Sequence, residues 1–280
     1  MVQIDEIVEQ ALMEDIRGGD LTSELTVDAD LGARAHAVAR EELVVCGADV
    51  FARVFERVDR SCRTVAHVDE GAVATRGSRI WTVHGSARAL LAGERTALNF
   101  VQRMAGIATA ARAFAQAVPA GCKARIVDTR KTTPGLRALE RYAVRTGGAG
   151  NHRNDLGAAV LIKDNHIIAA GGIEAAIARA REGARHTSRV EIEVQSLEEL
   201  ERALAAGADV VLLDNFELDG LKTAVLRTAG RALLEASGGV SLDRVAAIAR
   251  TGVDVISVGA LTHSARAVDI ALDLEIVAGA

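Results

Sequence analysis

After Pro119 the chain settles into a repeated alternation of short apolar runs and segments with apolar residues at helical spacing. Each run stops at a polar residue or a glycine: ARIVDTRK from Ala124, AAVLIKDN from Ala158, VEIEVQ from Val190, DVVLLDN from Asp209, ALLEASGG from Ala232 and VDVISVGA from Val253. Helical spacing occupies Pro134 to Arg145, Gly172 to Glu182, Leu197 to Ala205, Leu218 to Thr228, Leu242 to Arg250 and Ala265 to Leu274. Strands joined through helices return to the same end of a sheet and pair in parallel. A parallel sheet is covered on both faces, which is why its strands read as nearly continuous aliphatic runs. Six such units close into a barrel if another strand joins them, or remain an open doubly wound sheet, and periodicity allows both. Either way, functional residues belong just beyond the carboxyl ends of the strands. Ser196 and Glu199 have capping-box spacing at the head of the third helix.

The preceding residues, 1 to 118, follow a different pattern. Ile4, Ile7, Val8, Ala11 and Leu12 share one face of an N-terminal helix. Alternating runs at Ala33 to Val45, Thr64 to Val68 and Arg79 to Val83 are separated by Gly47, Gly71, Gly77 and Gly85, with helical spacing from Val50 to Val58. A small α+β domain is expected here. An alanine-rich helical stretch, Ser86 to Val118, leads out of it, with an expected interruption at Gly106. The second domain then spans 119 to 280, its last helix packing back on the first domain.

Composition narrows the function classes. Aromatic residues are 2% of the chain and the net charge is -5, so neither base stacking nor attraction to nucleic acid or an anionic membrane is expected. Cys46, Cys62 and Cys122 form no CxxC pair and suggest a reducing compartment. The N-terminus has no basic stretch before an apolar run, and no window approaches a membrane span. A cytoplasmic protein is expected.

Against that acidic whole, the segment from Ala124 to His166 carries twice as many basic as acidic side chains. Arg137, Arg141 and Arg145 fall on an expected helix and fit a solvated face as well as a function. Arg130, Lys131, Arg153 and Lys163 fall at strand ends or in glycine-rich loops, where a long cation has little to cover and an anion is the better partner. The run from Gly147 through Gly150 to Asn151, His152 and Arg153 can turn backbone amides and two cationic groups toward one anion. It is no dinucleotide fingerprint, since no GxGxxG follows a strand, and GxxxxGK[ST] is absent. Glu193 and Asp214 lie in otherwise apolar runs and therefore need a pairing group, a hydroxyl or a metal ion. His263, after Val258, Gly259 and Ala260, fits a solvated loop equally well.

Taken together, DTRKTTPGLRALERYAVRTGGAGNHR, LIKDNHI, EIEVQSLEEL, LLDNF, EASGG and VGALTHS, preceded by EDIRGGDLTS, ERTALNF and GIAT, resemble the quinolinate phosphoribosyltransferase family in order and spacing over nearly all 280 residues. One departure is Ala149, where the family pattern has a third consecutive glycine. The resemblance implies an incomplete, seven-stranded α/β barrel with a small N-terminal α+β sandwich. It implies transfer of phosphoribosyl from phosphoribosyl pyrophosphate to quinolinate, with decarboxylation. In a homodimer, Arg95 would be donated into the neighbour's site. Arg130, His152, Arg153 and Lys163 would bind the two carboxylates of quinolinate, and Thr129 would be a further substrate-binding residue. Lys131, Glu193 and Asp214 would hold the ribose and pyrophosphate, the two carboxylates with magnesium, and no organic cofactor is implied. Lys131, Lys163, Glu193 and Asp214 would carry the catalysis. Ser237, Gly238, Gly239, Gly259 and Ala260 would offer backbone amides to phosphate, and His263 would be a further substrate-binding residue. The alternatives are a relative acting on another ring acid and a non-catalytic phosphate-sugar binding protein.

Overall fold

The computed structural model describes residues 2–277. Its first elements are helices α1 (Val2–Ile16) and α2 (Leu21–Thr26), strands β1 (Gly32–Ala39) and β2 (Leu43–Val44), helix α3 (Ala48–Val58), strands β3 (Arg63–Ala66), β4 (Val73–Ala74) and β5 (Arg79–Ser86), and helix α4 (Ala87–Gln116). There follow β6 (Arg125–Val127), α5 (Arg137–Thr146), β7 (Val160–Ile162), α6 (Asp164–Ala170), α7 (Ile173–Gly183), β8 (Val190–Val194), α8 (Leu197–Ala205), β9 (Val210–Asp214), α9 (Leu218–Thr228), β10 (Leu233–Ser237), α10 (Leu242–Ala249), β11 (Val255–Ser257), α11 (Ala260–His263) and β12 (Ile270–Ile276). Two compact units result. One comprises the chain up to Arg112, Thr133–Gly148 and the segment from Ala265 onward; the other comprises Ala113–Thr132 and Ala149–Ser264. Neither is one continuous stretch, so a single cut after Val118 does not by itself separate them.

The first unit is built on an antiparallel sheet of order β12-β1-β5-β3. Strands β3 and β5 pack on α3, where Phe51 stacks on Trp81 at 4.9 Å and meets Phe55 edge-on at 5.0 Å. These few aromatics are completely buried, so a chain with little aromatic content concentrates it in this core. The strand β12 corrects the expectation of a helix from Ala265 to Leu274. Val268, Ile270, Leu272, Leu274 and Ile276 recur every second residue, the strand period, and the run pairs with β1 from Ala39↔Ile270 to Ala33↔Ile276. Cross-strand ion pairs Arg34–Glu275 and Arg40–Asp273, at 2.6 and 2.7 Å, decorate the exposed side.

Helix α4 corrects a second expectation, for it runs through Gly106 without a break. The glycine is there for space: a β-carbon at 106 would stand 2.0 Å from the carbonyl oxygen of Arg266. Just beyond that contact, Gln102 accepts from the Val268 amide and donates to the Ile270 carbonyl. Gly106→Ala must therefore push the segment leading into β12 away from α4. We expect a loss of about 1–3 kcal/mol of stability, seen as a lowered midpoint in denaturant titration.

In the second unit all six apolar runs form strands, in one parallel sheet of order β6-β11-β10-β9-β8-β7. The family resemblance implied seven strands. At the β6 edge a parallel bridge between Val127 and Gly150 stands where a further strand would pair, so the sheet is an incomplete α/β barrel. At the head of α8 the Ser196 Oγ accepts the Glu199 amide at 3.1 Å, while Glu199 accepts from the Gln195 amide at 2.8 Å, one residue before the cap itself. The short helices α2 and α6 carry no signal that the apolar pattern revealed. No helix among the described residues is long and apolar enough to cross a membrane.

Candidate active site

Residues i and i+2 of a strand share a face, and the parallel register sorts the sheet of the second unit into two unlike sides. Ile126, Ile162, Ile192, Val194, Val211, Leu213, Leu234, Ala236 and Ile256 lie on one side and are all buried. The other side carries Leu161, Glu191, Glu193, Leu212, Asp214, Glu235, Ser237 and Ser257. A cavity of about 590 Å³ opens on this polar side, at the carboxyl ends of the strands. Its lining includes Thr129, Arg130, Lys131, His152, Arg153, Lys163, Glu193, Asp214, Ser237, Gly238 and Gly239. Eleven residues singled out from the sequence thus converge on one space.

Its cations are held individually. Lys163 donates to Glu193 at 2.9 Å. Arg153 is anchored through Nη1 to the Ala159 carbonyl at 3.1 Å, and burial together with the charge of Arg130 lowers its pKa. The Nε of Arg130 is buried without a hydrogen-bond partner among the described residues. Two guanidinium groups kept near each other, one with an unused donor, favour an incoming anion. Across the cavity, burial and the neighbouring charge of Glu193 raise the pKa of Asp214, whereas Asn215, Lys163 and Lys131 oppose that shift.

The backbone between these groups is shaped by conformation that few residues adopt. Gly238 has φ +94°, and a β-carbon there would lie 2.1 Å from the Asn215 Oδ1. Asn215, itself at φ 56°, donates its amide to the Ser237 carbonyl at 2.9 Å and its side chain to Asp214 at 2.8 Å. A side chain at 238 would thus strike the group that orients Asp214. Ala149 fits its place in the loop before Asn151 without adopting positive φ, in contrast to Gly148 at +95°. Gly147 is required by packing, because its β-carbon would stand 2.3 Å from the Ala108 carbonyl.

Three further residues belong to the site. Asp128 is completely buried and accepts from the Asn151 side chain at 2.6 Å and the His152 amide at 2.7 Å. It therefore ties the Asn-His-Arg turn to the end of β6. Glu191 and Glu235, buried on β8 and β10, lie 3.3 and 3.4 Å from the His152 Nε2. Glu235 is a single acidic residue in an apolar run and Glu191 shares its run with Glu193, the signal that drew attention to Glu193, but nothing local marked their common partner. Hydrogen bonds donated by the ring to Glu191 and Glu235 push His152 up to about 10, burial opposing them. The His152 Nδ1 meanwhile lies 2.7 Å from the Arg153 amide, a contact only an unprotonated Nδ1 can accept. Two buried carboxylates outweigh one neutral hydrogen bond, so they favour the imidazolium, although the Arg153 amide at Nδ1 favours the neutral ring.

A pH dependence follows from this group. Its folded pKa lies above the ordinary 6.5, so its stabilising contribution is complete below that value and is lost as pH rises toward about 10. Thermal melts across this window should show a falling midpoint, with a smaller fall in His152→Gln.

Gly259, Ala260 and His263 are not in the lining but adjoin it. A β-carbon at Gly259 would meet both Lys131 Cδ and His263 at 3.1 Å, and the Thr262 hydroxyl donates to the Lys131 carbonyl at 2.8 Å. His263 is exposed and its Nδ1 lies 2.6 Å from the Ser264 hydroxyl. Arg95 is exposed on α4, in the first unit, and is not part of the lining.

Residues 20–105 match the quinolinate phosphoribosyl transferase N-terminal domain, and residues 107–273 match the C-terminal domain of the same family. The chain belongs to the quinolinate phosphoribosyltransferase family. It is 47% identical over 273 residues to the nicotinate-nucleotide pyrophosphorylase (carboxylating) of Mycobacterium leprae, with 95% of each chain covered. It is 41% identical to the probable nicotinate-nucleotide pyrophosphorylase (carboxylating) of Bacillus subtilis, with 98% of this chain and 94% of that one covered. The crystal structure of NadC from Streptococcus pyogenes, 38% identical, superposes with a TM-score of 0.94 over 99% of this chain and 98% of that one. Both domains of the family, and the incomplete barrel, are therefore present.

Proposed function

We propose that this quinolinate phosphoribosyltransferase family member joins quinolinate to phosphoribosyl pyrophosphate, releasing pyrophosphate and carbon dioxide and leaving nicotinate mononucleotide. The observation that carries the reading is the division of one cavity into a cationic half, Arg130, Arg153 and His152, and a carboxylate half, Glu193 and Asp214, with Lys163 between them. A planar dicarboxylate suits the first half, because guanidinium groups grip carboxylates in a bidentate manner. A ribose that develops positive charge suits the second. Thr129 borders the quinolinate half; Lys131, Gly238 and Gly239, with Gly259 and Ala260 beside them, offer donors to phosphate.

The pyridine nitrogen attacks the anomeric carbon as the bond to pyrophosphate breaks. The ring nitrogen is then positively charged and stabilises the electron pair left on the adjacent ring carbon when its carboxylate leaves as carbon dioxide, and that carbon takes up a proton in its place. That electron sink belongs to the substrate, so an organic cofactor has no role. Magnesium fits the donor set: Glu193 and Asp214 supply hard oxygen ligands, and the mutual repulsion that raises the Asp214 pKa is what a divalent cation relieves. When bound, it would offset the charge of the departing pyrophosphate. A cytoplasmic setting is part of the proposal, consistent with the buried free thiols of Cys46 and Cys62. Release of labelled carbon dioxide from quinolinate, dependent on phosphoribosyl pyrophosphate and magnesium, tests the reaction; no release under those conditions would sink it.

A homodimer completes the proposal, with Arg95 donated to the partner's cavity. The exposure of Arg95 on α4, which leaves its guanidinium open to a partner chain, supports this role. Mixing inactive Arg95→Ala with inactive Lys163→Ala chains should restore activity, since a mixed dimer holds one site with both groups intact. Random exchange puts at most about half of the dimers in that state, so recovery has a ceiling near about one quarter of wild type. Exchange without recovery would remove Arg95 from the site.

A further inference from the structure

Glu191 and Glu235 pose a physical problem. Both are buried at a cavity assigned to a dicarboxylate, Glu235 in its lining, where two unneutralised negative charges would repel the substrate. Their Oε2 atoms meet at the Nε2 edge of His152, while their Oε1 atoms are buried with no hydrogen-bond partner among the described residues. The charge of Arg153 also acts on Glu191, and for each carboxylate the ring is the hydrogen-bonding partner. They approach it from β8 and β10, the strands on either side of β9, so the grip comes from fixed parts of the sheet. The Asp128 carboxylate holds the His152 amide from the end of β6.

We propose that Glu191 and Glu235 are positioning residues for quinolinate capture, which together fix the charge and orientation with which His152 meets a substrate carboxylate. The proposal rests on the quinolinate reading of the cavity. Neither glutamate needs to touch the substrate. With the ring cationic, one carboxylate is neutralised at the base of the pocket, and the turn carrying Arg153 is held where its guanidinium stands near Arg130. Without the pair, burial favours the neutral ring. The charged groups facing the ring are Glu191 from β8, Glu235 from β10, Asp128 from β6, and the cations Arg153 and Arg130 of the neighbouring loops.

The test uses ring nitrogen-15 chemical shifts of histidine-labelled full-length protein, with the His152 signal assigned by its loss in His152→Gln. In the wild-type chain the ring should remain doubly protonated to about pH 9. In Glu191→Gln and Glu235→Gln it should lose a proton at a pH lower by at least about one unit. The quinolinate KM of these variants should rise about tenfold more at pH 8.5 than at pH 6. The KM for phosphoribosyl pyrophosphate should stay nearly constant and kcat should change much less than the quinolinate KM. A merely structural role would raise both KM values at every pH. Should a glutamine variant fail to fold, Glu235→Asp keeps the charge with a shorter reach and should give an intermediate titration. Unchanged ring titration in the variants overturns the positioning role. Shifted titration with an unchanged quinolinate KM overturns the link to capture. Failure of the wild-type chain to release carbon dioxide from quinolinate would instead strike the reading of the cavity, leaving the ring measurement to stand on its own.

Discussion

Arg153→Ala is expected to weaken quinolinate binding by roughly 30-fold to a few thousandfold, the equivalent of about 2–5 kcal/mol for losing one charged, desolvated hydrogen-bonding partner. Binding of phosphoribosyl pyrophosphate should change only a few-fold. The difference arises from location. Arg153 follows the His152 turn, is held by the Ala159 carbonyl, and sits close enough to Arg130 for their charges to oppose one another. Removing it relieves that opposition in the empty protein but takes away half of the guanidinium pair that an incoming dicarboxylate would satisfy. Arg153→Lys should recover only part of the loss, since an ammonium group keeps the charge without the planar fork. Separate calorimetric titrations with the two ligands measure this directly. Equal weakening of both would show that the loop does not discriminate between them.

Glu193→Gln combined with Asp214→Asn is expected to lower turnover on the order of 100- to 1000-fold, the scale of losing fixed electrostatic stabilisation of a transition state. The effect should fall on turnover because positive charge at the ribose grows only as the bond to pyrophosphate breaks. Quinolinate binding should remain nearly intact, since the dicarboxylate is assigned to the other half of the cavity. The double change also frees Lys163 from its 2.9 Å pairing with Glu193, so phosphoribosyl pyrophosphate binding should fall less than turnover, or even tighten. Single-turnover measurements at saturating substrates and magnesium separate these effects. Undiminished turnover would dissociate both carboxylates from the ribose side.

Periodicity is a local property, and it was legible wherever a local pattern decided the outcome. The six aliphatic runs after Pro119 became six parallel strands, and the polar residues closing them, from Arg130 to Gly239, reached one cavity because parallel strands end on the same side. The motif order carried the family and, with it, the reaction. Tertiary structure decided what depends on neighbours distant in sequence. Residues 270–276 form a strand because β1 offers an edge more than 230 positions away, although the alternating apolar residues were visible in the chain itself. Gly106 lies inside an unbroken helix because the Arg266 carbonyl passes against it, which no helix propensity records. Glu191 and Glu235 looked like unrelated charges in separate apolar runs until the sheet brought both to His152. A strand pattern specifies which way a carboxylate faces; only the assembled sheet supplies the counter-charge that makes its burial tolerable.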